Sequence, residues 1–148
     1  MSVRPAHYDD SLVIVREEDR PWACLAHLLG WVPIWGFLLN LVIWLGFKNR
    51  SREVVFHVQQ AVQYQIFSLI VVVLWVMVAL LGGVLGRLSP ATGELITVLN
   101  NFLLSLALTA MAGIGVVGGG LVYAGRPFVY PLFGRRVLEG SIRKIKEE

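Results

Sequence analysis

Three kinds of residue in this chain carry groups able to do chemistry: three histidines, one cysteine, and a glycine run with nucleotide-binding spacing. His27 and His57 would open a metal site, but zinc asks for three or four nitrogen, sulfur or carboxylate ligands. Only His7 remains to join them and no carboxylate or thiolate cluster lies nearby in sequence, so neither a metal nor a cofactor is expected. Cys24 is the sole cysteine and cannot form an intrachain disulfide. It reads as a small apolar residue near the start of a helix. Gly113-Ile114-Gly115-Val116-Val117-Gly118 has the dinucleotide spacing, with Glu139 about twenty residues further on. That fingerprint needs a preceding strand and a soluble βαβ unit, whereas this run lies inside an apolar segment. Close helix packing is the better reading: Gly115 with Gly119, and Gly82 with Gly86, are small pairs one turn apart that let backbones approach. No Ser/His/Asp or Cys/His set, catalytic carboxylate pair or phosphate loop is present, so the chain reads as a non-enzymatic protein.

These residues must be positioned by a chain of 148 residues that is 56% hydrophobic with a mean hydropathy of +0.67. Soluble domains are about 45–50% apolar, so lipid is the expected solvent for much of the surface. The net charge of +3 is modest. Its Lys and Arg residues gather in loops and the tail without aromatic interleaving, which argues against nucleic acid as a partner. The first twenty residues lack a basic region followed by an apolar core, so no cleavable signal peptide is expected. The partners expected are the lipid bilayer and either further copies of the chain or other membrane proteins. No small-molecule substrate is identified.

The sequence divides into a charged arm (1–21), a membrane domain (22–136) and a basic tail (137–148). Ile66 to Leu85 is apolar except for Ser68, Gly82 and Gly83, and twenty helical residues span roughly 30 Å of hydrocarbon. A second span is expected at 102–124, with Asn100 and Asn101 at the interface, after a short turn over Gly86–Gly93. The first hydrophobic segment, 23–47, contains Pro33, which must kink or break a helix near Val32. Either one bent helix crosses the bilayer, or two half-helices form a re-entrant hairpin packed against protein. Before the first full span, 52–65 is amphipathic. Val54, Val55, Val58, Ala61 and Val62 fall on one side; Arg52, Glu53, His57, Gln59, Gln60 and Gln63 fall on the other. That pattern predicts an interfacial helix presenting Gln59, Gln60 and Gln63 as a docking face, with His57 and Gln65 tied by hydrogen bonds to the first segment or to the tail near Tyr130. His27, Asn40, Ser105 and Thr109 are intramembrane polar groups, expected to serve as hydrogen-bond partners between helices. The fold class is thus an all-α membrane protein with two full transmembrane helices, a Pro-bent or re-entrant first segment and an interfacial amphipathic helix.

Several short stretches carry a resemblance: Arg20 to Leu28, Ile43-Trp44-Leu45 with Lys48, His57 to Ile66, and Tyr130-Pro131-Leu132. Together they resemble the Tic20-like (DUF4870) family of small bacterial membrane proteins, although Gln59, Gln60 and Gln63 stand where that family usually has Lys, Glu and Asn. The resemblance implies a translocation- or assembly-related role in the bacterial cytoplasmic membrane. The function expected is a non-enzymatic membrane component that packs with itself or with partner membrane proteins. A small channel or transporter subunit is the alternative, since discontinuous helices often mark solute sites.

Basic residues favour the cytoplasmic side of a membrane. A crossing first segment would leave the loop at Lys48 to Arg52 and the tail with nine of the thirteen basic residues; a hairpin raises that side to twelve, leaving Arg87 alone opposite. Either way the C-terminus is expected in the cytoplasm. A reporter active only in the periplasm, fused after Glu148, should therefore stay silent, and strong activity would reverse the topology.

Overall fold

Proline and serine set the breaks in an otherwise helical chain. The computed structural model describes residues 13–30, 32–131, 134 and 137–141. A short 3-10 turn at Glu17–Asp19 leads into α1 (Arg20–Leu29), α2 (Pro33–Phe47), α3 (Arg52–Leu88) and α4 (Pro90–Tyr123). Residues 137–141 are again helical, and no strand occurs among the described residues. The basic stretch with Arg143, Lys144 and Lys146 lies outside the described residues.

Val32 is extended (φ −93°, ψ 102°), as a residue before proline prefers, and Pro33 opens α2 where its missing N–H costs nothing. The first hydrophobic segment is therefore two helices. At 1.5 Å per residue they are about 15 and 22 Å long, so neither reaches across 30 Å of hydrocarbon. They form a hairpin. Trp22 at the start of α1 meets Phe47 at the end of α2, with ring centroids 5.5 Å apart, while the tip at Gly30 lies against Tyr64 of α3. Both open ends lie at one end of the molecule, here called the near end, where Arg20 also touches Gly125 just after α4.

α3 runs unbroken from its polar start into its apolar length. Ser51 caps it, its hydroxyl oxygen accepting from the Val54 N–H at 3.4 Å. The expected turn over Gly86–Gly93 shrinks to Ser89 alone, because α3 continues to Leu88 and Pro90 starts α4. The two helices meet so closely that a Cβ on Gly93 would collide with the Gly86 backbone, and one on Gly82 would lie 2.9 Å from Ile96. Their register follows from these contacts, with Asn100 bonded to the Trp75 carbonyl and Tyr64 to that of Met111. Residues 66–85 thus face roughly 93–110. The two spans read from hydropathy, 66–85 and 102–124, are offset along the pair by about half their length, since each was placed by its own apolar run and neither run marks its neighbour's level.

The outer surfaces of this pair are apolar. Only 6% of the apolar window of α3 and 22% of that of α4 is buried inside the protein, with Leu80, Phe102 and Leu103 more than 60% exposed. A core helix of a soluble protein would be largely covered; these helices are long and apolar enough to cross a membrane and keep that surface outside. The protein's own core sits at the near end, where Ala23 and Ala26 of α1, Ile43 of α2, Val54, Val58 and Ala61 of α3 and Val122 of α4 pack together. This corrects the interfacial-helix expectation for 52–65. The valine side is buried under α1 and α2, and the opposite side buries His57 and Gln60 as well, leaving Arg52 and Gln63 exposed.

Overpacking at a backbone-to-backbone contact typically costs about 1–3 kcal/mol. Gly93→Leu should accordingly lower the thermal midpoint in mild detergent, while Gly113→Leu, whose added Cβ meets nothing within 4 Å, should leave it nearly unchanged.

Candidate functional site

The polar residues of the near end converge on one buried line. His57 on α3 and His27 on α1, both with no exposed surface, face each other with His27 Nε2 and His57 Nδ1 2.9 Å apart. His57 Nε2 lies 3.1 Å from the carbonyl oxygen of Val13 in the N-terminal arm, and His27 Nδ1 lies 3.1 Å from the Tyr130 hydroxyl. The protons of this line are fixed by elementary donor and acceptor rules. A carbonyl only accepts, so His57 Nε2 carries hydrogen and the neutral ring accepts at Nδ1. His27 must then donate from Nε2, which makes its Nδ1 an acceptor for the Tyr130 hydroxyl. Three bonds run in one direction, Tyr130 to His27 to His57 to Val13. Burial, with Tyr64 alongside, holds the Tyr130 phenol far above its ordinary pKa, so it keeps the proton it donates.

Each end of the line is secured. Tyr130 stacks on Tyr64 with centroids 4.5 Å apart and planes 16° from parallel, and its backbone N–H donates to Gln60 Oε1 at 3.0 Å. Tyr64 in turn donates to the Met111 carbonyl of α4 at 3.0 Å. Phe128 stands edge-on to His27 and Phe56 is steeply inclined to His57, which encloses the imidazoles in rings. Two further amides tie the α1–α2 hairpin. Asn40 donates to the Ala26 carbonyl at 3.3 Å, and Gln65 donates to the Leu29 carbonyl at 2.9 Å.

The structure brings together His27, His57, Gln60 and Tyr130 and places Asn40 and Gln65 on the flank of that group. Gln60 is fully buried and faces Tyr130, so it cannot share a docking face with half-buried Gln59 and exposed Gln63. Pro131 is exposed beside the line without joining it. Gly115 and Gly119 are both buried on α4, and a Cβ on Gly119 would lie 3.2 Å from the Cys24 carbonyl and 3.4 Å from Leu28, so it seats α1 on α4 within the chain. Ser105 and Thr109 lie exposed on the outer face of α4. Sequence reasoning missed Tyr64, although His57, Gln60, Tyr64 and Ser68 follow one helical face at steps of three and four. It also missed Val13, whose contribution is a backbone carbonyl that no side-chain pattern reveals.

The arrangement ties the arm, α1, α3 and the segment after α4 to one another. Among the described residues no three His, Cys, Asp or Glu side chains come close enough to bind a metal ion. Two imidazole nitrogens on one tetrahedral zinc ion stand about 3.3 Å apart, so the 2.9 Å between these rings is the distance of a shared proton.

The model of the MamF/MmsF family, described as the magnetosome magnetite crystal formation protein family, matches residues 18–137. No curated protein and no solved structure matches the chain. The Tic20-like resemblance is corrected by this match, which covers the same stretch, and the translocation role goes with it. The motifs behind that resemblance are a histidine, amides and aromatics on near-end helices, residue types that any small membrane protein needs to tie its helices internally.

Replacing the Tyr130 hydroxyl by hydrogen strands the acceptor on His27. Tyr130→Phe should therefore cost about 1–3 kcal/mol in unfolding measured in detergent, while Pro131→Ala should stay within about 0.5 kcal/mol.

Proposed function

The chain belongs to the magnetosome magnetite crystal formation protein family, and from that premise we propose that it is a non-enzymatic component of the membrane in which such crystals form, acting by packing with itself or with other membrane proteins. One observation carries the reading: the buried polar side chains of the near end are engaged in ties between the chain's own elements, while its outer faces are long, apolar and exposed. What is left to meet a partner is the lipid-facing surface and the near-end surface.

In this reading α3 and α4 cross the bilayer, and the α1–α2 hairpin enters and leaves on the near side. The near side is the cytoplasmic one, since the described basic residues Arg16, Arg20, Lys48, Arg50, Arg52 and Arg126 lie there and Arg87 lies opposite. Trp22, Trp44 and Tyr123 supply the aromatic girdle there. Arg52 and Arg87 are thirty-five helical residues apart, about 52 Å, against a bilayer of about 40–45 Å including headgroups. A tilt of about 30° reconciles the two and lies within the range of spanning helices. The far side offers only the Ser89 turn flanked by Arg87 and Glu94, so the chain acts from within the membrane and from its near side.

Deleting the gene in a magnetosome-forming cell is expected to alter crystal size or number. A fluorescently tagged copy should sit with the crystals and crosslink to itself or to another membrane protein. Normal crystals, together with a tag spread evenly over the envelope, would overturn the reading, and ion flux through vesicles holding the purified chain alone would favour a channel instead.

A further inference from the structure

We propose that His27 and His57 form a proton-operated latch, which holds the N-terminal arm at Val13 on α3 while the two rings are neutral and releases it when the pair takes up a proton. The proposal stands on the hydrogen-bond geometry and does not depend on a role in crystal formation.

The line from Tyr130 to Val13 has no place for an added proton. The free positions on the neutral rings are the two Nδ1 atoms. A proton on His57 Nδ1 would point at the N–H of His27 only 2.9 Å away. A proton on His27 Nδ1 requires Tyr130 to turn and accept, which ends the bond that its hydroxyl now donates. Among the described residues no anion is bonded to the pair to balance the charge. The elements packed around the pair carry Arg16, Glu17, Glu18 and Asp19 in the arm, Arg20 and Cys24 on α1, Arg52, Glu53 and Tyr64 on α3, and Arg126, Tyr130 and Glu139 beyond α4. Asp19 is paired with Arg16 and Glu53 accepts from Ser51, and no described carboxylate bonds to either imidazole. The nearest surroundings are rings and apolar side chains, in which a bare imidazolium is poorly solvated.

What gives way is decided by how each element is held. α1 and α3 are joined independently by the apolar core of Ala23, Ala26, Val54, Val58 and Ala61. The arm is held at Val13 by the line and by a small satellite cluster with Phe56, Val137 and Leu138, with Val15 reaching the main core, whereas Tyr130 beyond α4 keeps its stack on Tyr64 and its bond to Gln60 whatever the line does. Release therefore frees the arm at Val13 and uncovers Phe56 on the near side. Since the open form takes the proton and the closed form does not, the closed form prevails at higher pH and the open form as pH falls, over roughly two pH units for a single proton.

The test uses the full chain with Cys24→Ser in lipid nanodiscs, spin-labelled at Ile14→Cys in the arm or at Thr92→Cys on the far side as control. As pH falls from about 8 to 4.5, bracketing the ordinary histidine range, the Ile14 label should pass from an immobile to a mobile spectrum in one reversible step while the Thr92 label stays unchanged. In His57→Gln, where a neutral amide can still donate to Val13 and accept from His27, and in the His27→Phe/His57→Phe pair, the step should vanish. Helicity at each pH reports whether these chains remain folded. No step at Ile14 in the histidine-bearing chain, a step that survives in a folded variant lacking both histidines, or an equal change at Thr92 would each overturn the latch.

Discussion

Two fully buried imidazoles sharing one proton at 2.9 Å constrain everything around them. Because each neutral ring offers one donor and one acceptor, a single carbonyl at Val13 sets the direction of the entire line, and that direction requires a donor at the other end. Tyr130 supplies it. The arm, α1, α3 and the segment after α4 are therefore registered against one another by a polar connection that fails at every bond if any member is misplaced. In a water-poor interior the cost of an unmet donor or acceptor is what makes such a line specific.

The rest of the architecture follows a division between the two ends. At the near end a modest apolar core and several amide ties join four helices, and the hairpin of α1 and α2 packs two short, proline-separated helices against α3. At the far end only α3 and α4 remain, held by glycine-mediated contact and by the bond from Asn100 to the Trp75 carbonyl. Between lipid-facing helices there is no hydrophobic gain from association, so close approach of small residues and a few hydrogen bonds must do the joining. Gly82, Gly86 and Gly93 are used in this way inside the chain, and so is Gly119 against Cys24.

The family match and the geometry speak to different questions. Membership in a crystal-formation family supplies the cellular setting, while the structure describes a self-contained set of helices whose polar groups hold the chain together. Short motifs of a histidine, amides and aromatics misdirected the sequence-level resemblance, because such residue types serve to tie helices together and do not by themselves identify a family.

The sequence by itself determined the main elements: an apolar stretch of twenty residues at Ile66 to Leu85 specifies a helix long and apolar enough to cross a membrane, and Pro33 specifies a kink or a break by geometry. It also marked His27, His57, Gln65 and Tyr130 as polar groups in need of partners, because a buried polar atom is costly wherever it lies. Which partner each one meets was beyond it. The offset of α4 against α3 depends on where Gly93 lets two backbones touch, and the burial of Gln60 depends on a chain segment seventy residues away folding back to present the Tyr130 N–H. The proton order of the histidine pair depends on a backbone carbonyl, a group every residue has and no sequence pattern distinguishes. Such pairings join positions distant in the chain, so only the tertiary structure could decide them.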